Sequence, residues 1–309
     1  MYHCMSRVVA GQHLLDDLCK EKLVGILWRL SAFCGIEVIT YCIMSNHFHV
    51  LVRVPEHQNP TDQQLIERME ALYGRKALWV QLARKGLEDH GRVDADIRRS
   101  MLERMGDVSA FMKELKQRFS RWYNGRTGRF GTLWAERFKS VLVEDRSGSV
   151  EIMATYIDLN PVRAGLVPDP KDYRYCGYAQ ALAGNKKAQA GLMSFLGGKG
   201  WREAAAEYRK RLFVGAGTAG QSGKAVLDRE KIKQVLKEGG YLSMGQILRL
   251  RIRHMTDGVA LGSKGFVNEI FAMHRGKFGA KRKSGARRIR GVPLEGVSVL
   301  RDLRVSAVT

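Results

Sequence analysis

The chain has 309 residues, and its 52 Lys and Arg against 31 Asp and Glu give a formal net charge of +21. Its hydrophobic fraction of 45% is ordinary for a globular protein. Its apolar runs are far shorter than the roughly 20 residues of a membrane-spanning helix, which excludes that class of protein. So strong a positive charge favours a polyanionic partner, usually nucleic acid; a merely soluble basic protein is the alternative.

The cysteines and the N-terminus indicate the compartment. The five cysteines form an odd set without a CxxC pair, which argues against a disulfide framework and a structural zinc site. The first residues lack the basic and then apolar segments of a signal peptide. We therefore expect reduced thiols, no membrane contact and a cytoplasmic location.

Strand and helix patterns alternate in the first half of the chain. In order, they predict a strand over 2–9, a helix over 14–34, strands over 37–43 and 47–54, a helix ending near residue 123, a strand over 137–144, and a helix over about 149–160. A charged helical insertion over about 56–106 interrupts this order. Without it, the order is β-α-β-β-α-β, which predicts an α+β fold with a ferredoxin-like antiparallel sheet and helices on one face.

The composition changes after Gly184. Segments rich in Gly, Ser and Ala predict a linker over 185–223 that contains one short helix. Residues 224–309 are predicted to form a helical, basic region. Its tail from Arg275 to Arg290 has eight Lys or Arg among sixteen residues and no acidic residue. Such a block is either an arm that binds nucleic-acid phosphates or a solvated tail.

The predicted strand that starts at His47 carries the first chemical signal. Side chains alternate along a strand, so His47 and His49 share one face while Phe48 and Val50 share the other, apolar face. Two imidazoles side by side can reach one metal ion. Without other context, such a pair is more often a pair of surface or partly buried residues. The metal interpretation therefore needs a third ligand.

The second signal is the segment from Tyr156 to Gly165. Tyr156 and Asn160 lie one helical turn apart on the same face, and Pro161 predicts that the helix ends near Asn160. The Asn160 amide oxygen can then turn toward a neighbouring site. A tyrosine beside an oxygen ligand, placed over the histidine face, would form a metal-assisted nucleophilic site. Taken alone, Tyr156 is more often a packing aromatic.

Four segments together resemble a known family. They are MSNHFHVLV (44–52), FSRWYN (119–124), GTLWAERFKS (131–140) and YIDLNPVRAGL (156–166), and they are similar to the REP-associated tyrosine transposases of the HUH superfamily. In that superfamily U is a hydrophobic residue, here Phe48. Neither HxH nor YIxxN is specific alone, but four motifs in order are. The resemblance extends from Met1 to about Gly184.

The resemblance implies an activity and the residues that perform it. The family implies a ferredoxin-like fold, Mg²⁺ or Mn²⁺, and cleavage and rejoining of single-stranded DNA through a 5′-phosphotyrosine intermediate. His47, His49 and Asn160 would bind the metal, and Tyr156 would be the nucleophile. The DNA would be short repeats that fold into hairpins, and the protein would be bacterial and nucleoid-associated when bound to DNA. The insertion and the region beyond Gly184 depart from minimal members, so the target and the oligomeric state, monomer or homodimer, stay open.

Basic and aromatic side chains are candidates for DNA contact, because cations follow the backbone and rings stack on unpaired bases. The candidates are Arg121, Trp122, Tyr123, Trp134, Arg137, Lys139, Arg163, Lys281, Arg282, Lys283, Arg287 and Arg288. For the two tryptophans, packing in the core is an equal alternative. For Arg163, the alternative is a structural hydrogen bond.

Three other functions compete with a hairpin-directed transposase. Another HUH enzyme, such as a replication initiator or relaxase, is disfavoured by the YIDLNPVRAG segment, because those enzymes frame their tyrosines differently. A basic RNA-binding protein with the same sheet gives no reason for the paired histidines. A non-catalytic, repeat-binding DNA regulator of transposase descent remains the main alternative.

Overall fold

The structure is a computed structural model that describes residues 1–56, 59–198, 200–217, 254–279, 282–288 and 297–301. Its strands are β1 (Tyr2–Arg7), β2 (Glu37–Ile43), β3 (His47–Arg53), β4 (Lys139–Val143), β5 (Gly258–Ser263), β6 (Arg287–Arg288) and β7 (Val297–Arg301). Its helices are α1 (Asp17–Cys34), α2 (Asp62–Tyr73), α3 (Leu78–His90), α4 (Ala95–Leu102), α5 (Val108–Thr127), α6 (Ser147–Asp158), α7 (Asn160–Arg163), α8 (Gly177–Leu182), α9 (Lys186–Leu196), α10 (Trp201–Gly217), α11 (His254–Asp257) and α12 (Lys264–Met273). Among these helices none is long and apolar enough to cross a membrane.

The first four strands form the predicted ferredoxin-like sheet. They lie in the order β2-β3-β1-β4, and each neighbouring pair is antiparallel. β1 therefore lies in the interior of the sheet, between β3 and β4. The α+β class and the split β-α-β arrangement are confirmed.

The two faces of this sheet are different. Phe48 packs against Trp134, which in turn contacts Phe119 of α5. On the opposite face, His49 lies against Tyr156 of α6. Helices α5 and α1, which pack beside each other, lie on the Phe48 face, as expected for the helices of this fold. Helix α6 lies on the opposite face, where its Tyr156 contacts His49.

Helix α1 shows how local sequence fixes an element that supports the sheet. The Asp16 carboxylate accepts a hydrogen bond from the backbone N–H of Cys19 at 2.7 Å and caps the first turn. Gly35 ends the helix in the left-handed conformation, with φ of 64°. Between them, Leu23, Leu27 and Leu30 recur at helical spacing and are buried.

The predicted helical insertion consists of α2, α3 and α4. Thr61 and Gln64 form a reciprocal capping box at the start of α2. Asp62 joins the segments, because its carboxylate accepts hydrogen bonds from the Val93 backbone and from the Arg98 guanidinium. The insertion is therefore a packed helical unit.

The structure differs from the predicted linker over 185–223, because α10 is the one short helix expected there, α9 is a further helix, and both are packed against the rest of the protein. Helix α9 packs against β2, and α10 packs against α6 and α9. A Cβ atom at Gly191 would lie 2.3 Å from the backbone oxygen of Val38, so this glycine permits close packing of helix on strand. Gly191, one of the small residues that suggested a linker, is thus required for packing, whereas an added Cβ at Gly197 or Gly200 would meet nothing within 4 Å. The rest of the predicted linker, from residue 218, lies outside the described residues.

The C-terminal region is helical only in part. β5 pairs in parallel with β4, and β7 and β6 continue the sheet beyond β5. Helix α12 packs on this addition through Val267 and Phe271, which cluster with Ala260 and Leu300. The described part of the region therefore extends the sheet. The predicted basic tail includes β6, whereas Lys281 lies outside the described residues.

Candidate active site

The two histidines of β3 are neighbours on one face of the sheet, as the alternation predicts. Their ring centroids are 5.0 Å apart and their planes are nearly perpendicular, at 85°. His49 is buried and His47 is half-buried. Burial lowers the pKa of His47 to about 4 and that of His49 well below its usual value. Both rings are therefore neutral near pH 7, the form that binds metals.

Tyr156 lies beside His49 and beside a third histidine, His3. Its ring centroid is 5.9 Å from that of His49 and 6.0 Å from that of His3, and it meets both rings edge-on. Its side chain is largely buried. The fold thus brings the predicted nucleophile and a predicted metal ligand together, although they are far apart in the sequence.

Arg163 places a positive charge over the Tyr156 ring. Its guanidinium carbon lies 4.3 Å from the centre of the Tyr156 ring, and its Nη1 donates to the Tyr156 carbonyl at 3.4 Å. Its Nε is buried without a hydrogen-bond partner in the described part of the chain. A cation so close to a phenol stabilises negative charge that develops on the phenol oxygen.

Asn160 stands at the end of the tyrosine helix. Helix α6 ends at Asp158, and Pro161 lies in the first turn of α7, so the helix ends close to the expected point. The Asn160 amide nitrogen donates to the carbonyls of Tyr156 and Ile157 at 3.0 and 3.2 Å. Asn160 therefore closes the end of α6, and its amide oxygen is the atom left to accept or to ligate.

Three residues at the site were missed from the sequence: His3, Arg7 and Asn46. The pairing of β1 with β3 sets Arg7 opposite His47 and Met5 opposite His49. Residues 3, 5 and 7 of β1 therefore share the histidine face. The alternation was visible in the sequence, but the neighbouring strand and its register were not.

The histidine pair fits an open divalent-metal site. In each ring Nδ1 is in a hydrogen bond, His47 with the Asn46 amide oxygen at 2.6 Å and His49 with the His3 Nε2 at 2.9 Å. Each ring therefore keeps Nε2 for a metal. Within the described residues, no three His, Cys, Asp or Glu side chains cluster to hold an ion. The remaining ligands would be an amide oxygen, water or substrate oxygens.

The structure separates the candidate DNA contacts into exposed and buried groups. Arg121 and Arg137 are exposed. They line a groove of about 1250 Å³ between α5 and residues 131–138, together with Lys113 and Lys116. Trp134, also at this groove, is 7% exposed and donates its indole N–H to the Lys116 carbonyl. Trp134 is therefore a core residue here, in line with the packing alternative.

Other candidates are buried or lie apart. Tyr123 is buried, and half-buried Trp122 lies under the amino group of Lys22 and the guanidinium of Arg126. Lys139 is exposed and pairs with Met5, so it belongs to the histidine face. In the C-terminal region, Lys283 is exposed, and the Arg282 guanidinium lies over Phe271 and Phe278. Arg287 and Arg288 form β6.

Comparison with known proteins found one family model and a distantly similar solved structure. Residues 1–90, which include β1 and the histidine strand, match the family model described as "Transposase IS200 like". No curated protein matches the chain. A solved structure described as a REP-associated tyrosine transposase bound to a REP hairpin is similar at 14% identity and a TM-score of 0.39, over 59% of this chain and 79% of that one. The family model confirms the similarity to IS200-like transposases over residues 1–90 and indicates a transposase-like role in DNA processing.

Proposed function

We propose that this protein is a metal-dependent endonuclease and strand transferase for single-stranded DNA, which acts on hairpin-forming repeats through a covalent 5′-phosphotyrosine at Tyr156. The observation that carries the proposal is the juxtaposition of Tyr156 with His49 on one face of the sheet, at 5.9 Å between ring centroids. Packing alone does not explain why the tyrosine lies next to His49, whose ring and that of His47 use Nδ1 in hydrogen bonds within the described residues and leave Nε2 for a ligand. A metal-assisted nucleophile explains this arrangement.

The chain's own residues account for the covalent step. The Tyr156 phenol oxygen attacks the scissile phosphorus in line, so that a phosphorus–oxygen bond to tyrosine forms and the bond to the 3′ oxygen breaks. The phenol loses its proton and the departing 3′ oxygen takes one up. Arg163, whose guanidinium carbon is 4.3 Å from the ring centre, stabilises the negative charge on the phenol oxygen during attack.

His47 and His49 would hold the divalent ion, Mg²⁺ or Mn²⁺, with Asn160 as a third ligand through its amide oxygen. When bound, the ion would polarise the scissile phosphate. Asn160 would keep its amide nitrogen on the α6 carbonyls and so present its oxygen without leaving the helix end. Because the tyrosine ester conserves the energy of the phosphodiester, attack by another 3′-hydroxyl would rejoin strands without ATP.

The positive charge of the chain supports a DNA partner. Arg121, Arg137 and Lys116 line the groove beside α5, where they would follow the phosphates of a hairpin stem. Arg7 and Lys139 share the histidine face with the site, where they would hold the strand to be cut. The groove and the site lie on opposite faces of the sheet, so a hairpin would have to reach around its edge.

The test is a covalent adduct on a denaturing gel. Full-length protein is incubated with labelled single-stranded oligonucleotides from the repeats that flank the gene, with Mn²⁺ or with EDTA. The variants are Tyr156→Phe and His49→Ala. Tyr173→Phe is the matched control, because Tyr173 is also buried but donates to the Ile43 carbonyl, outside the site.

We expect an adduct that requires metal, Tyr156 and His49 and survives in the control. If hairpins bind in a gel shift but no adduct or cleavage appears under any condition, the enzymatic proposal is wrong. The non-catalytic repeat-binding regulator then becomes the better account. If adducts form equally in Tyr156→Phe, another residue is the nucleophile.

A further inference from the structure

Two chains of hydrogen bonds end on the histidine pair, one on each ring. We propose that His3 and Asn46 are positioning residues that fix the tautomers of His49 and His47, so that both rings present an unprotonated Nε2 to the metal. The use of those nitrogens rests on the proposed function. The tautomers themselves follow from the contacts of the folded protein.

The first chain runs from Met255 through His3 to His49. The Met255 carbonyl oxygen lies 2.7 Å from the His3 Nδ1. A carbonyl only accepts, so this nitrogen must carry the proton. His3 is buried, and its ring nitrogens face a carbonyl and another imidazole, not a carboxylate, so its ring carries a single proton. Its Nε2 is then an acceptor, and the proton in the 2.9 Å contact with His49 must belong to the His49 Nδ1.

The ring geometry agrees with this assignment. The planes of His3 and His49 differ by only 19°, and their centroids are 5.1 Å apart. Nitrogen atoms 2.9 Å apart across such a pair mean that the rings meet edge to edge, in the geometry of an N–H···N hydrogen bond. With its proton on Nδ1, His49 has a bare Nε2.

The second chain runs from Gly11 through Asn46 to His47. The Asn46 amide nitrogen donates to the Gly11 carbonyl at 3.0 Å, which fixes the orientation of the amide. Its oxygen then faces the His47 Nδ1 at 2.6 Å. An amide oxygen only accepts, so the His47 Nδ1 carries the proton and its Nε2 is bare. Each chain ends on a backbone carbonyl, which cannot reverse its role.

The arrangement matters because a free imidazole favours the opposite tautomer, with its proton on Nε2. A ring in that form must exchange its proton before it can bind an ion through Nε2. Hydrogen-bond partners of this kind typically contribute about 10- to 100-fold to metal affinity. His3 and Asn46 would make this contribution without touching the ion.

The test reads the tautomers directly, in metal-free protein with ¹⁵N-labelled histidine. Long-range ¹H–¹⁵N spectra distinguish a ring protonated on Nδ1 from one protonated on Nε2. The variants are His3→Leu, which removes the acceptor, and His3→Gln, which keeps an acceptor oxygen. Asn46→Leu addresses the other chain. Thermal unfolding establishes that each variant is folded, and Mn²⁺ titration followed by EPR gives the affinity.

We expect both rings in the Nδ1–H form in the wild type. In His3→Leu, only His49 should change to the Nε2–H form, and Mn²⁺ affinity should fall by about 10- to 100-fold. His3→Gln should keep the Nδ1–H form of His49 and the wild-type Mn²⁺ affinity. If His3→Leu does not fold, the tautomer of His49 in His3→Gln tests the inference in its place. Asn46→Leu should change only His47.

The inference is wrong if His49 of the wild type is protonated on Nε2. It is also wrong if His49 keeps its proton on Nδ1 in His3→Leu. A failure of the proposed function gives a different result: the tautomers are as described, but the wild type forms no adduct with DNA.

Discussion

The buried carboxylate of Asp158 leads to a prediction about Tyr208. Asp158 lies two residues after Tyr156 and is fully buried. Its oxygens accept hydrogen bonds from the Thr40 hydroxyl at 2.9 and 3.0 Å, from the Tyr208 hydroxyl at 2.7 Å and from the Tyr178 backbone N–H at 3.2 Å. These donors come from β2, α8 and α10, so Asp158 fastens the tyrosine helix to three other elements. Replacing Tyr208 with Phe removes one donor and leaves the shape of the core.

The effect of Tyr208→Phe should depend on pH. Burial raises the pKa of Asp158 from 3.8 to about 7. Between these values the Asp158 carboxyl of the folded protein holds a proton that the unfolded chain has released, so the contribution of Asp158 to the free energy of unfolding falls as pH rises from 3.8 to about 7 and then levels off. The neighbouring thiols Cys42 and Cys176 have pKa values raised well above 9 by burial. They remain protonated in this window.

The magnitude follows from the charge of the acceptor. A hydrogen bond to a neutral group contributes about 0.5 to 1.5 kcal/mol, and one to an ionised group about 1.5 to 3 kcal/mol. Tyr208→Phe should therefore lower the free energy of unfolding by about 1 kcal/mol near pH 5 and by about 2 kcal/mol near pH 8.5. The difference of about 1 kcal/mol corresponds to a further rise of about 0.7 in the pKa of Asp158.

Urea denaturation at the two pH values measures this difference. Tyr173→Phe is the matched control, because the Tyr173 hydroxyl donates at 2.7 Å to the neutral Ile43 carbonyl. Its loss should be the same at both pH values. If Tyr208→Phe lowers the free energy of unfolding as much near pH 5 as near pH 8.5, Asp158 carries the same charge at both pH values and the predicted protonation near pH 5 is wrong.

Three further predictions concern packing, charge and DNA. Gly191→Ala should destabilise the protein by about 1 to 3 kcal/mol, because the added methyl would collide with β2. Gly25→Ala, where the added methyl meets nothing within 4 Å, should stabilise it by about 0.5 to 1 kcal/mol. If urea denaturation shows Gly191→Ala to be as stable as Gly25→Ala, the close packing of α9 on β2 is wrong. Arg163→Gln removes the cation over Tyr156 and should slow single-turnover adduct formation about 2- to 30-fold, and an unchanged rate would remove Arg163 from the mechanism. Arg121→Gln should weaken hairpin binding and reduce the salt slope by about 1 without changing that rate, and an unchanged slope in titrations at several salt concentrations would mean that Arg121 contacts no phosphate.

The parts of the fold that follow from local pattern were predictable from the sequence. The alternation of His47 and His49 with Phe48 assigns the two faces of β3, because side chains alternate along any strand. The helical spacing of Leu23, Leu27 and Leu30 predicts α1 in the same way. The order of these elements then limits the topology to a few arrangements, of which the split β-α-β sheet is one.

The parts that depend on distant pairing were not predictable. His3 contacts His49 because β1 lies next to β3, and nothing in either segment states that register. β5 and β7 join the sheet through β4, more than a hundred residues earlier in the chain. Gly191 was ambiguous for another reason: a missing side chain suits both a flexible linker and a close contact, and only the Val38 carbonyl beside it decides between them.

The region beyond residue 184 supplies a hydrogen-bond partner to each half of the site. Tyr208 of α10 donates to Asp158 of the tyrosine helix, and Met255 accepts from His3, which shares the histidine face. Both contacts satisfy buried polar groups, and removing one partner of such a pair leaves the full desolvation cost of the other, about 1 to 3 kcal/mol. A chain that ended near residue 184 would therefore lose a support of Asp158 and the acceptor of His3 together. Tyr156 and His49, the proposed nucleophile and the proposed metal ligand, would lose these supports at the same time, so we expect the extension to be needed for the proposed activity.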